Sequence, residues 1–201
     1  MLDAWSCIAN LIESDKDKCH LIMSCKGMSK CRFFFNERVK IEKIVTSKFF
    51  NHFINVKVNN FDVLFPPFIT HLTFGWWFDQ PIENRIPSTI THLRFGNHFD
   101  QPIENCIPSS VVHLKFDTFF NQPIKNNIPT SVTHLTFGWH FEQAVSDIPS
   151  SVTHLFFNEK ESIDFDTIPS TVRYLQIRGE YCYKYFFNEK TSKLSGGIVD
   201  V

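Results

Sequence analysis

Apolar and polar positions alternate in short bursts along most of this chain, and the bursts recur at a fixed interval. The segment 90–95 reads Ile-Thr-His-Leu-Arg-Phe. It is rich in β-branched and aromatic residues and suits a short strand. Leu93 and Phe95 fall on one face of such a strand, His92 and Arg94 on the other. The same burst returns at His71, His92, His113, His134, His154 and Tyr174, in steps of 21, 21, 21, 20 and 20 residues. One unit of this size cannot bury its apolar face alone, whereas stacked units can, so the period predicts a solenoid with a parallel sheet on one side.

Stacking turns each repeat position into a ladder at a spacing of about 4.8 Å. The expected inward ladders are Leu72/Leu93/Leu114/Leu135/Leu155 and Phe74/Phe95/Phe116/Phe137/Phe157. A second phenylalanine ladder runs Phe78/Phe99/Phe120/Phe141, and Ile69, Ile90, Val111, Val132, Val152 and Val172 complete the core. These ladders account for the 23 phenylalanines among 201 residues. Gly75, Gly96 and Gly138 follow the strands and are expected to permit a bend. Each regular unit has two prolines, as in Ile86-Pro87-Ser88 and Gln101-Pro102-Ile103, which leaves no room for a long helix on the return path. Gln80, Gln101, Gln122 and Gln143 are expected to form a polar ladder that satisfies backbone groups at a corner. Ala144 stands at a proline position, and across 158–166 the motif lapses, which predicts an interrupted ladder.

Residues 1–38 lie outside the repeat. Leu2, Trp5, Ile8, Ala9, Leu11 and Ile12 follow helical spacing. Ser14-Asp-Lys-Asp17 reads as a stop and a fresh N-cap with acids in the first turn. Leu21, Ile22, Cys25 and Met28 make a second apolar stripe. The expected class is α+β: a short N-terminal helical segment followed by a leucine-rich-repeat-like solenoid with a parallel sheet on one face. The expected divisions are a helical segment at 1–38, and a connector with a capping strand around Ile54–Val58 at 39–64. Repeats follow at 65–180, with a C-terminal cap or tail at 181–201.

The motif Phe120-Asn-Gln-Pro-Ile124, followed by Ile128-Pro-Thr-Ser-Val-Thr-His-Leu-Thr-Phe-Gly138, resembles the FNIP repeat, a leucine-rich-repeat variant. The resemblance covers about residues 61–180. Leu11, Asp17, Lys18, Met23, Ser24, Cys25 and Lys26 resemble an F-box, although Met1-Leu2-Asp3 lacks the usual Leu-Pro opening. An F-box ahead of FNIP repeats is similar to proteins of giant DNA viruses of amoebae. The resemblance implies a substrate-recognition subunit of a Skp1–cullin ubiquitin ligase. Leu2, Trp5, Ile8, Leu11 and Leu21 would bury against a Skp1-like adaptor, and the repeats would hold a target protein. The alternative is a non-catalytic interaction scaffold whose N-terminal helices only cap the solenoid.

Charge and composition narrow the choices. The formal net charge is −1, without the basic excess of a general nucleic-acid binder. No apolar run is long enough for a membrane-spanning helix. The cysteines show no zinc spacing, and a reducing, intracellular (cytoplasmic) compartment is expected, host cytoplasm if the chain is viral. A monomer is expected, with no cofactor. No catalytic motif is found, so the chain reads as a non-enzyme.

The histidine ladder admits a metal or acid–base reading and a structural or partner-contacting one. A zinc site needs ligands converging on one point, whereas a linear ladder points them in parallel, so no metal is expected. The partner-binding candidates are the outward residues of the strands. The first row is His71, His92, His113, His134, His154 and Tyr174. The second is Thr73, Arg94, Lys115, Thr136, Phe156 and Gln176. A merely solvated strand face is the other reading of the same residues. Trp76, Trp77 and Trp139 follow the strand ends and are expected to cover the corner rather than stand exposed.

Overall fold

The computed structural model describes residues 14, 15, 17, 34–47, 50–158, 165–178, 182–188 and 193–199. Their strands form one ten-stranded sheet in strict chain order. It begins with β1 (Val39–Lys40), β2 (Asn55–Val58), β3 (His71–Phe74), β4 (His92–Arg94) and β5 (His113–Lys115). It continues through β6 (His134–Phe137), β7 (His154–Phe157) and β8 (Tyr174–Arg178) to β9 (Cys182–Asn188) and β10 (Lys193–Val199). The strands β1 to β8 run parallel, and β9 and β10 close the end antiparallel. The repeat stacks in register: Leu72 pairs with Leu93, Leu93 with Leu114, and Leu114 with Leu135.

The α+β expectation is corrected: the chain is a parallel β-solenoid of about six turns. Among the described residues the elements are strands and three-residue 3-10 turns, and helical backbone is confined to Asp15 and Asp17. Solenoid geometry starts inside the stretch read as helical, because Phe35 already bridges Phe53 in parallel. The rest of the helical expectation, Leu2 to Met28 apart from residues 14, 15 and 17, lies outside the described residues. The capping strand expected near Ile54–Val58 is β2, paired with β3. The N-cap at Ser14 is found, its Oγ accepting from the Asp17 N–H at 3.3 Å. Asp15 does something the helix reading missed. Its carboxylate is buried and accepts the N–H groups of Asn36 and Glu37 at 3.1 and 2.7 Å, fastening this segment to the start of the solenoid.

Each coil turns three corners. In one regular unit they are closed by Ile90 N–H to Pro87 O, Phe99 N–H to Gly96 O, and Cys106 N–H to Ile103 O. The last corner puts Asn105 at φ 54°, and Asn84 and Asn126 repeat it at 54° and 62°. Asparagine tolerates this left-handed region better than other residues with a side chain. Proline at the first corner fixes its own φ and gives up an N–H the turn does not use.

The expected inward ladders are buried throughout. Their rings also record the shape of the stack. The outward histidine rings stand 4.0 to 4.2 Å apart. The phenylalanines behind the strands stand 5.2 to 5.8 Å apart. Those of the back ladder stand 6.0 to 6.4 Å apart. Each coil is a wedge, thin at the strand and thick at the back, and the sheet therefore lines the inside of a curve. Within a coil the two ladders also touch, with Phe116 and Phe120 at 3.8 Å.

Two corner residues work differently from the expectation. None of the glycines described has positive φ; their role is clearance. A Cβ on Gly96 would lie inside the Gly75 carbonyl, and one on Gly138 inside the Asp117 carbonyl. The polar ladder is led by the residue before each glutamine. Asp79 Oδ1 accepts the Asp100 N–H and Gln101 Nε2, and Asp100 Oδ1 accepts the Asn121 N–H and Gln122 Nε2. Asn121 Oδ1 repeats the pattern with Glu142 and Gln143.

Gly96→Ala tests the clearance. The added methyl meets backbone rather than a movable side chain, so urea denaturation should show a loss of about 1–3 kcal/mol, the range for overpacking. An unchanged midpoint would show that the coils have slack there.

Candidate functional site

The inside of the curve carries two rows of side chains. On the first row the backbone sets the geometry at each step: the N–H groups of Thr91 and His92 both reach the Thr70 carbonyl, and those of Val112 and His113 both reach Thr91. This pins the histidine at the strand's first position, where its ring lies flat on the ring before it. His71, His92, His113, His134 and His154 form one continuous stack. Tyr174 ends it, tilted, 5.9 Å from His154.

A threonine precedes four of the five histidines, Val112 standing before His113, and at two of them it sets the ring's proton. Thr91 Oγ1 donates to the Thr70 carbonyl at 3.2 Å and lies 2.9 Å from His92 Nδ1. A hydroxyl has one hydrogen, so the second contact is an Nδ1–H donating to oxygen. Thr153 does the same between the Thr133 carbonyl and His154. By this hydrogen-bond count, neutral His92 and His154 carry their hydrogen on Nδ1 and leave Nε2 as an acceptor. Thr70 and Thr133 make the same ring contact at 2.8 and 2.9 Å.

Four of these rings resist protonation. Burial, and then the neighbouring histidines, lower His92 and His134 to about 4 from the ordinary 6.5. His71 and His113 are lowered by the same two causes in the same order. Near neutral pH the stack from His71 to His134 is uncharged. It presents parallel rather than convergent ring nitrogens, unlike a zinc site. Among the described residues, no group of three or more histidine, cysteine or acidic side chains is arranged to hold a metal ion.

The second row holds the charge. Thr73, Arg94, Lys115, Thr136, Phe156 and Gln176 pair in that order across the strands. Arg94 reaches Asp117 Oδ2 at 3.0 Å. Lys115 is lowered, first by burial and then by Arg94. Gln176 is buried, and its Oε1 accepts the Tyr174 hydroxyl at 3.1 Å. A cavity of about 530 Å³ runs along both rows from Arg38 and Asn55 to Phe156. It continues at one end into a space lined by Lys115, Phe156 and Arg178. Along its edge it opens into another lined by Arg38, Lys57, Arg94 and Trp76. The adaptor-facing candidates Leu2, Trp5, Ile8, Leu11 and Leu21 lie outside the described residues.

The tryptophans correct the expectation of a covered corner: Trp76, Trp77 and Trp139 are 55%, 76% and 60% exposed. They sit just past the strand ends, where the backbone has turned away from the core. Trp77, His98, Phe119 and His140 make a second ring ladder at 4.2, 4.9 and 5.0 Å. It was legible as a 21-residue column of ring residues and went unread because the residue type changes at each step.

The histidine shifts fix a pH dependence. The unfolded chain binds protons at ordinary histidine values, below pH 6.5, which the folded His92 and His134 refuse until about pH 4. Stability should be full above pH 6.5 and fall as the pH drops from there toward 4. Thermal melts across this range should show a falling Tm, with a flatter profile in His113→Gln/His134→Gln. A profile as steep in the double variant as in the parent would remove the ladder as the cause.

The FNIP Repeat family model matches residues 60–98, 78–119 and 120–160, together half of the chain. Among solved structures, the chain is similar in fold to the crystal structure of CroV588, a circular leucine-rich-repeat protein, with TM-score 0.51 and 24% identity. The match covers 76% of this chain and 31% of that one, so the chain spans about a third of that protein's length. No curated protein matches the sequence. With the repeat matched over half its length and its coils stacked in register, the chain belongs to the FNIP repeat family.

Proposed function

We propose that this protein is a binding scaffold that holds a partner protein against the inside of its curve and performs no bond chemistry. The observation that carries this reading is the continuous cavity along the sheet, about 530 Å³, lined by two in-register rows rather than by one convergent cluster. Solenoids commonly bind on the concave side, where successive coils supply a long row of contacts.

The finer reading makes the scaffold a substrate receptor. The F-box-like residues Leu11, Asp17 and Met23–Lys26 stand ahead of the repeats, and such a segment would dock on a Skp1-like adaptor of a cullin ubiquitin ligase. The competing reading, a simple cap, is favoured by one contact: Asp15 is bound to the backbone of Asn36 and Glu37 at the solenoid's start. Trp5→Glu/Leu11→Glu separates them. A receptor loses co-purification with a Skp1 homologue and keeps its Tm, whereas a cap loses Tm.

The scaffold itself is tested by a photo-crosslinking residue placed at Thr136, inside the cavity, and at Lys125, on an exposed return turn. In cell extract, Thr136 should capture a defined set of proteins that Lys125 does not. Equal capture at both positions would sink the reading.

A further inference from the structure

The three connected spaces on the sheet face are lined by five cationic side chains, Arg38, Lys57, Arg94, Lys115 and Arg178, and one carboxylate, Asp117. This concentration occurs in a chain whose formal net charge is −1. Asp117 is already committed, paired with Arg94 and only 13% exposed. Among the described residues, no other ion pair engages these cations.

Arg94 and Lys115 are direct partners across neighbouring parallel strands. Like charges in that position destabilise a sheet. The fold does not require them, because the same column holds Thr73 beside Arg94 and Thr136 beside Lys115. The repulsion is felt: after burial, Arg94 lowers Lys115, and Arg178 adds to this, with Asp117 acting against them. A pair of adjacent cations with a neutral substitute at hand, set in a cavity, is the arrangement expected where an anion from outside completes the charge balance.

Resting on the scaffold reading above, we infer that the concave face binds an extended acidic segment of a partner protein. Its carboxylates would lie over Arg94, Lys115 and the flanking cations, and its N–H groups over the acceptor nitrogens of His92 and His154. The distance from Lys57 on β2 to Arg178 on β8 is roughly 30 Å at about 4.8 Å per strand, the length of about nine extended residues. Nucleic acid fits less well. The histidine rings stack on one another, so they offer no open faces to bases.

The test uses the full chain and fluorescence anisotropy. The probes are labelled peptides of about ten alternating residues, Glu/Ser and Gln/Ser, and an oligothymidylate of similar length. The Glu/Ser peptide should bind and weaken as salt approaches ~0.15 M, and the Gln/Ser peptide should not bind. Arg94→Thr/Lys115→Thr should weaken binding by about tenfold or more. Lys125→Thr on the return turn should leave binding unchanged. The double variant's melting temperature is measured beside the parent's, because it removes a like-charge pair and also the partner of Asp117, and the binding comparison is made where both are folded. No binding of the Glu/Ser peptide, equal binding of the Gln/Ser peptide, or no effect of the double variant would overturn the inference. So would tighter oligothymidylate binding through the same two residues. If the acidic probe fails while Thr136 still captures a specific partner, the scaffold reading stands and the acidic partner falls. If both fail, both fall.

Discussion

The fixed spacing of parallel strands governs this molecule. Once backbone N–H and C=O groups pair from coil to coil, like residues are held about 4.8 Å apart, whatever their chemistry. Every consequence depends on whether a residue type benefits from meeting its own kind at that distance. Phenylalanine and leucine do, and their ladders are buried from end to end. Asparagine and aspartate do at the corner after the back phenylalanine, where one side-chain oxygen accepts a backbone N–H and a glutamine amide from the next coil. Histidine does while it is neutral, when flat rings stack. A charged residue does not, and for that reason the Arg94–Lys115 pair stands out.

This dependence also explains what was readable in the sequence. Ladder membership follows from period alone, so the Leu72, Phe74, Ile69 and Phe78 columns could be assigned to the core without coordinates. Register follows too, because a one-residue slip would set Leu93 against His113 or Lys115. Features that arise between coils and have no counterpart within one were hidden. Gly96 looks like a bend residue in its own unit, and its need for space appears only when the Gly75 carbonyl arrives from the previous coil. Asp79 looks like a solvated acid until the N–H of Asp100 is placed on it. The N-terminal region misled for a related reason. Helical spacing of apolar residues says how a segment would pack as a helix, but it does not show that the chain near Phe35 already runs as solenoid.

Of the candidate face, the two rows were legible as alternate positions of a strand, and their division of labour was not. Alternation placed His92 and Arg94 outward together. It could not show that Thr91 fixes the imidazole's hydrogen, since that depends on Thr91's hydroxyl already being used by the coil before it. Nor could it show Gln176 turned to Tyr174 and buried, because there the stack meets an antiparallel strand and the repeat's environment ends. The exposed tryptophans were misplaced because large rings are usually covered, a tendency that holds for cores and not for the rim of a curved stack.

Curvature joins these observations. The ring spacing widens from about 4.1 Å at the histidines to above 6 Å at the back ladder, so side chains on the sheet converge while those behind it spread. Convergence strengthens whatever the inner face carries. It squeezes the imidazoles into contact, and the cavity beside them partly desolvates Lys115. On a flat sheet the same cations would be well hydrated and their mutual repulsion screened. The wedge therefore sharpens the like-charge contact on which the proposed acidic partner rests, and it traces back to the second phenylalanine of the regular coils. Thickening the back of the repeat and sharpening the charge of its face are one structural choice.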